Sequence, residues 1–265
     1  MSTADVEGPE WSARAAAWAE HWGRLAAPAR EAIVEVAQVG SGTRLLDVGC
    51  GTGELVALAA QRGAEVAGID AAAGMLAVAR SRVPGADLRE GPVEALPWPD
   101  GAFDVVTAVN ALQFAADPAA ALREAARVVA PGGRLAVCTW GPPATRDLAV
   151  VMAALGDLEP PARGGEAQDD QAPPPPALGT PGVADDLLRA AGLDVVHATD
   201  VDVPYAVADL PTLQRALVDG AGVATAAHPE AVRAALAPAA APFRRPDGTF
   251  RFAGTFRLVV GRRPA

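Results

Sequence analysis

From Thr43 to Ala60 the chain reads TRLLDVGCGTGELVALAA: an apolar run stops at Asp47, breaks into glycines at 49, 51 and 53, and resumes as a leucine- and alanine-rich segment. A strand that turns into a helix through such a loop constrains the fold more than any other feature, because it opens a βαβ unit. The pattern then repeats. RLLDV, AEVAGID, ADLRE, FDVVTAVN and RLAVCTW read as strands, and residues 53 to 62, 72 to 82 and 118 to 129 as helices, the last stopped by Pro131-Gly132-Gly133. This alternation predicts right-handed crossovers and an α/β fold, with a parallel sheet covered by helices on both faces.

Either side of this block the pattern is looser. Residues 10 to 38 predict two helices with a break near Ala27-Pro28; Trp11, Trp18, Trp22 and Leu25 mark the first, Ile33, Val34 and Val36 the second. Residues 157 to 180 are rich in Pro, Gly and acid, with four prolines in a row at 173 to 176, and read as a flexible or polyproline insert. A helix over 183 to 191, the strand LDVVHATDVDV, helices over 210 to 219 and 229 to 236, and GTFRFAGTFRLVVGRR as a final strand or hairpin complete the chain. Its 265 residues, half of them apolar, fit one domain with an elaborated edge.

Composition excludes some chemistry. All 22 basic residues are arginine, so neither a pyridoxal phosphate Schiff base nor a P-loop lysine is available. The net charge of -10 disfavours a nucleic-acid surface. Only Arg244, Arg245, Arg251, Arg257, Arg262 and Arg263 form a dense basic group, which reads as solvated charge around the last strand. Two cysteines, Cys50 and Cys138, have no metal-like or CxxC spacing, so a reduced cytoplasmic setting, no metal site and roles as small apolar fillers are expected. No export signal or membrane-spanning run is legible.

In an open α/β sheet the loop after the first strand is a binding position. A dinucleotide loop places its third glycine where this chain has Glu54, and Asp47 adds charge at the strand end, so the expected ligand brings no pyrophosphate and suits a cationic group. Asp70 ends the second strand, where a carboxylate can accept both ribose hydroxyls. These features together describe a nucleoside carrying amino-acid and cationic groups, for which S-adenosylmethionine is the expected ligand. Asp47 is also suited to capping the loop backbone, a role compatible with binding.

Asp47 to Gly53, Asp70, FDVVTAVNALQF and ALREAARVVAPGGRLAVCTW, in that order, resemble the class I S-adenosylmethionine-dependent methyltransferases of the small-molecule branch, closely over residues 40 to 142. The resemblance implies a Rossmann-like, mainly parallel seven-stranded sheet with its last strand antiparallel, and a helical lid formed by residues 1 to 40. It implies that Gly49, Cys50, Gly51 and Gly53 cradle the methionine part of the cofactor, with Asp47 fixing the loop and the amino group. Asp70 would hold the ribose, Ala71 and Met75 flank the adenine, and Asn110 offer its carbonyl to the amino group. The family motif Gly-Asp-Ala-Glu-x-Leu-Pro-Phe is replaced by Gly91 to Trp98, in which Pro92 lacks both the acid and an amide donor. Adenine would then rest on Val93 and apolar packing, next to Glu94.

Methyl transfer from a sulfonium needs an in-line nucleophile and exclusion of water; a base is needed only for a protonated nucleophile. His21, among the N-terminal tryptophans, is the candidate base. His197 and His228 read as structural. Trp18, Trp22, Gln113, Phe114, Trp140 and the stretch 178 to 181 are expected to contact substrate. They are aromatic and apolar with little positive charge, which points to a neutral or hydrophobic metabolite methylated at O, N or C. The lysine-free composition suits a GC-rich bacterium and natural-product tailoring. A cyclase of the same fold that keeps the cofactor without transferring methyl is the alternative, and monomer and homodimer are both compatible with the sequence.

Overall fold

The computed structural model describes residues 7–156, 158 and 177–265. Its main sheet contains β1 (Arg44–Val48), β2 (Glu65–Asp70), β3 (Asp87–Glu90), β4 (Phe103–Val109), β5 (Val129–Trp140), β6 (Asp194–Asp202) and β9 (Thr255–Arg262), in the order β3-β2-β1-β4-β5-β9-β6. Pairings from β3 through β5 are all parallel. Strand β9 runs antiparallel to both β5 and β6, so the reversed strand lies inside the sheet, one place from its edge. A separate ribbon pairs β7 (Tyr205–Val207) with β8 (Phe250–Phe252).

Helices α3 (Glu54–Gln61), α4 (Ala73–Arg82), α5 (Pro118–Val128) and α7 (Val183–Ala190) form crossovers, and α1 (Gly8–His21), α2 (Ala27–Val36) and α6 (Leu148–Gly156) complete the cover. Both sheet faces are apolar because both are buried. Adjacent Leu45 and Leu46 belong to opposite core clusters, one with Val105, Cys138 and Leu258, the other with Val106, Val137 and Val259. That is why β1 reads as a continuous apolar run rather than an alternating one. Helix α5 begins where Asp117 accepts a hydrogen bond from the Ala120 amide at 2.9 Å and Pro118 occupies the first turn, where an amide is not needed.

Three expectations are corrected. Pro131-Gly132-Gly133 does not separate helix from strand: β5 starts at Val129, and the run forms an irregularity between the Phe103–Val129 and Val105–Arg134 pairs. A bulge tolerates a proline without an amide and Gly132 at φ 76°, so the strand continues through both. Of the two readings of the terminal segment the final strand holds, as β9, and the hairpin does not, since β8 pairs with β7 and not with β9. The link is held elsewhere: Ala253 donates to the Asp147 carboxylate at 2.6 Å, and Gly254 accepts from Val203 at 2.8 Å. The helix expected over 210 to 219 divides into α8 (Leu210–Arg215) and a wide turn at Ala216–Gly220, beside which the Trp22 indole donates to the Ala216 carbonyl at 2.7 Å. Helix α9 (Pro229–Ala240) runs one turn further than expected, with Pro238 inside it. Most of the insert expected at 157 to 180 lies outside the described residues.

Candidate active site

Strand order reverses between β1 and β4, each of which has its sequence neighbour on its outer side, and this switch point opens a crevice beyond the carboxyl ends of the strands. A cleft of about 1130 Å³ occupies it. The glycine loop, the ends of β2, β4 and β5, α1 and the segment at 177 to 179 line the cleft.

The loop's three glycines all have left-handed backbones, φ 70° at Gly49, 52° at Gly51 and 82° at Gly53. Their surroundings differ. A Cβ on Gly49 would lie 2.3 Å from the Ala111 Cβ, and one on Gly53 would lie 2.9 Å from the Ala79 Cβ on α4. A Cβ on Gly51 would meet nothing within 4 Å; it would enter the cleft. Gly49 and Gly53 therefore let the backbone pack closely, whereas Gly51 borders open space in the cleft.

Two acids frame the loop. The Asp70 carboxylate accepts from the Gly51 amide at 2.8 Å and the Ala72 amide at 2.9 Å; burial raises its pKa, and these two donors oppose the rise. Asp47 is buried, and the Thr107 hydroxyl donates to it at 2.7 Å. Burial raises its pKa from the usual 3.8 to about 7, countered by Thr107 and reinforced by nearby Asp70. Glu54 acts differently from the sequence argument. Its carboxylate lies 2.5 Å from Arg82 and accepts from the Thr52 hydroxyl at 2.6 Å, so its charge is offset and does not by itself argue against a pyrophosphate.

Among the other expected site residues, Cys50, Ala71, Met75, Val93 and Asn110 line the cleft with these acids, as do Trp18, Trp22, Gln113, Phe114 and Trp140. Asn110, in a left-handed conformation at φ 50°, accepts from the Trp140 amide at 3.0 Å and so couples the ends of β4 and β5. The Cys50 thiol is pushed well above its usual range by burial and neighbouring acids, which suits a filler and not a nucleophile. Three expected residues lie outside the lining. Gly53 supports α3 against α4. Glu94 accepts from the Ala116 amide at 3.0 Å. His21 sits 3.9 Å from Glu20 at the end of α1.

Two cations line the cleft beyond the expected residues. Arg30, on α2, lines the cleft and donates to the Gly23 carbonyl at 2.6 Å; burial lowers its pKa, and Glu54 and Asp47 oppose that. Arg146, after β5, lines the end of the cleft expected to hold little positive charge, 5.4 Å from the Trp140 ring. Each is the single arginine of its segment, PAREAIVEV and GPPATRDLAVV, but each stands next to an acid, Glu31 and Asp147, and so reads locally as paired surface charge.

A methyltransferase-domain family model matches residues 46–137. A malonyl-[acyl-carrier protein] O-methyltransferase of Halorhodospira halophila is 32% identical over 231 residues, 82% of this chain and 72% of that one. A demethylmenaquinone methyltransferase of Thermus thermophilus is 44% identical over 120 residues, 43% of this chain and 54% of that one. The chain thus spans about half the length of the demethylmenaquinone methyltransferases it matches. In fold it is similar to the geranyl diphosphate C-methyltransferase of Streptomyces coelicolor solved with S-adenosyl-L-homocysteine, with a TM-score of 0.54 at 16% identity over 91% of this chain and 80% of that one. With its sheet order, its glycine loop and a relative aligned over most of both chains, the protein belongs to the class I S-adenosylmethionine-dependent methyltransferase family.

Proposed function

We propose that this protein, working in the cytoplasm, transfers a methyl group from S-adenosylmethionine to an O, N or C nucleophile of a small, largely hydrophobic metabolite. The observation that carries the proposal is the make-up of one cleft, in which Asp47, Gly51 and Asp70 share a lining with apolar residues that include Phe114, Met152 and Leu178. The open space over Gly51 and the paired acids suit an adenosyl amino acid. Asp70 would accept the ribose hydroxyls, Asp47 would face the amino group, and Arg30 would hold the carboxylate. Met75, Ala71 and Val93 would flank the adenine.

Bound there, the cofactor would supply a methyl group on sulfur; the sulfur–carbon bond breaks as the nucleophile–carbon bond forms, leaving S-adenosylhomocysteine. The chain's contribution is alignment and dryness. Trp11 and Trp18 of α1 and Trp22 directly after it, an aromatic row with ring centroids 5.1 and 5.9 Å apart, would cover the cleft and exclude water. No histidine or tyrosine is among the described lining residues, which favours a nucleophile that arrives ionised or as a free amine.

The test is incubation with methyl-labelled cofactor and a bacterial metabolite extract, with mass spectrometry for products heavier by one CH2 unit. Calorimetry with S-adenosylhomocysteine and NAD runs beside it. Labelled products and selective binding of S-adenosylhomocysteine are expected. Isomerised substrate without label would overturn methyl transfer in favour of the cyclase alternative, and selective NAD binding would overturn the cofactor assignment.

A further inference from the structure

A cationic side chain absent from the expected site residues lies in the cleft beside Trp140. Arg146 follows β5 in a segment pinned on both sides. The Thr145 hydroxyl lies 2.7 Å from that of Thr255, and the Asp147 carboxylate accepts the Ala253 amide at 2.6 Å. The acid nearest to Arg146 in sequence is therefore already engaged, and the backbone of Arg146 is fixed where its side chain lines the cleft.

Among the described residues no acceptor is recorded for the Arg146 guanidinium. Its Nε is buried with no hydrogen-bond partner, and among the described residues no carboxylate lies within ion-pair distance. One face stacks toward Trp140 at 5.4 Å. A guanidinium stays charged in a protein, and a donor left unmatched on burial costs free energy that a ligand anion would recover. Its planar fork of N–H groups fits an oxyanion in two-point fashion. Phe114, Met152, Leu178 and Leu187 add apolar surface to the same cleft, and Phe114 and Met152 are 41% and 38% exposed.

Resting on the function proposed above, we infer that the methyl acceptor is amphiphilic and anionic: a carboxylate or phosphate held by Arg146 against Trp140, with an apolar body along Phe114, Met152, Leu178 and Leu187. This replaces the neutral metabolite expected from the sequence. It also assigns Arg146 to the substrate and not to the cofactor, whose carboxylate would be held by Arg30 under the proposed function.

The protein loaded with S-adenosylhomocysteine is titrated with decanoate, decyl phosphate and decanamide, following tryptophan fluorescence and calorimetry. At least one of the two anions should bind ten-fold or more tightly than the amide, and comparing the two distinguishes carboxylate from phosphate. Arg146→Gln should bring that ratio close to one without changing the affinity for S-adenosylhomocysteine, and Arg146→Lys should keep part of it. No anion preference in the wild type, an unchanged preference in Arg146→Gln, or a ten-fold loss of S-adenosylhomocysteine affinity in that variant would each overturn the inference. Because cofactor affinity is read separately, a failure here leaves the methyltransferase reading standing, whereas absent cofactor binding would sink that reading first.

Discussion

The Gly51 amide donates to the Asp70 carboxylate at 2.8 Å, tying the loop after β1 to the acid at the end of β2. Asp70 thus fixes the loop, and under the proposed function it would also hold a ribose. Asp70→Ala removes both and should weaken S-adenosylhomocysteine binding ten- to a hundredfold, about 1.5 to 3 kcal/mol, with a lower Tm. Asp70→Asn keeps an oxygen for one backbone donor, so it should lose affinity with a smaller fall in Tm. Calorimetry and thermal melts check both, and a folded Asp70→Ala variant of unchanged affinity would refute the ribose assignment.

Asp47 gives the site a pH dependence of definite sign. Its pKa is raised from 3.8 to about 7 by burial, so near neutrality the folded protein holds it partly protonated. A ligand ammonium favours the ionised form. Affinity for S-adenosylhomocysteine should therefore rise about tenfold per pH unit up to about pH 7 and then level off. Stability of the ligand-free protein moves the other way. A carboxyl whose folded pKa is raised contributes stability that is full below the unfolded value and is lost as pH rises through the folded one. Asp47→Asn should flatten most of the binding profile, leaving what Asp70, shifted in the same direction, contributes. Calorimetry between about pH 5.5 and 7.5 decides it, and a flat wild-type profile rules out a role for the Asp47 charge.

His21 was the sequence's candidate base, and its position predicts that it is dispensable. It lies beside Glu20 and outside the cleft lining, so proton transfer to it from a bound nucleophile has no direct path. His21→Ala should retain kcat within about twofold, because general-base losses are of order 10² or more. A hundredfold fall in kcat with unchanged cofactor affinity would restore it as the base.

What the sequence conveyed follows from how local each signal is. Strand, loop and helix over residues 43 to 142 were legible because hydrophobic period and glycine punctuation act within a few residues. The position of β9 inside the sheet follows from pairing with β5 and β6, and β8 joins β7 across more than forty residues; neither leaves a local mark. The site divides in the same way. Asp47, the glycines and Asp70 announce themselves by spacing. Arg30 and Arg146 do not, since an arginine's role depends on which carboxylates surround it, and Arg82 shows the opposite outcome by neutralising Glu54.

Gly49 and Gly51 are two residues apart and share a left-handed backbone, yet their alanine variants should fail differently. In Gly49→Ala the new methyl would lie 2.3 Å from the Ala111 Cβ, forcing the loop away from the end of β4. Added to about 1 kcal/mol or more of backbone strain, that collision should lower Tm markedly and remove binding with it. In Gly51→Ala the backbone term remains, but the methyl meets no protein atom within 4 Å. It occupies the space assigned to the methionine part of the cofactor. This variant should melt only modestly below wild type and still lose S-adenosylhomocysteine affinity by tenfold or more. Thermal melts paired with calorimetry separate the two. Full affinity in Gly51→Ala would mean that the cofactor does not pass over this glycine, and a wild-type Tm in Gly49→Ala would show that the Ala111 segment yields at little cost.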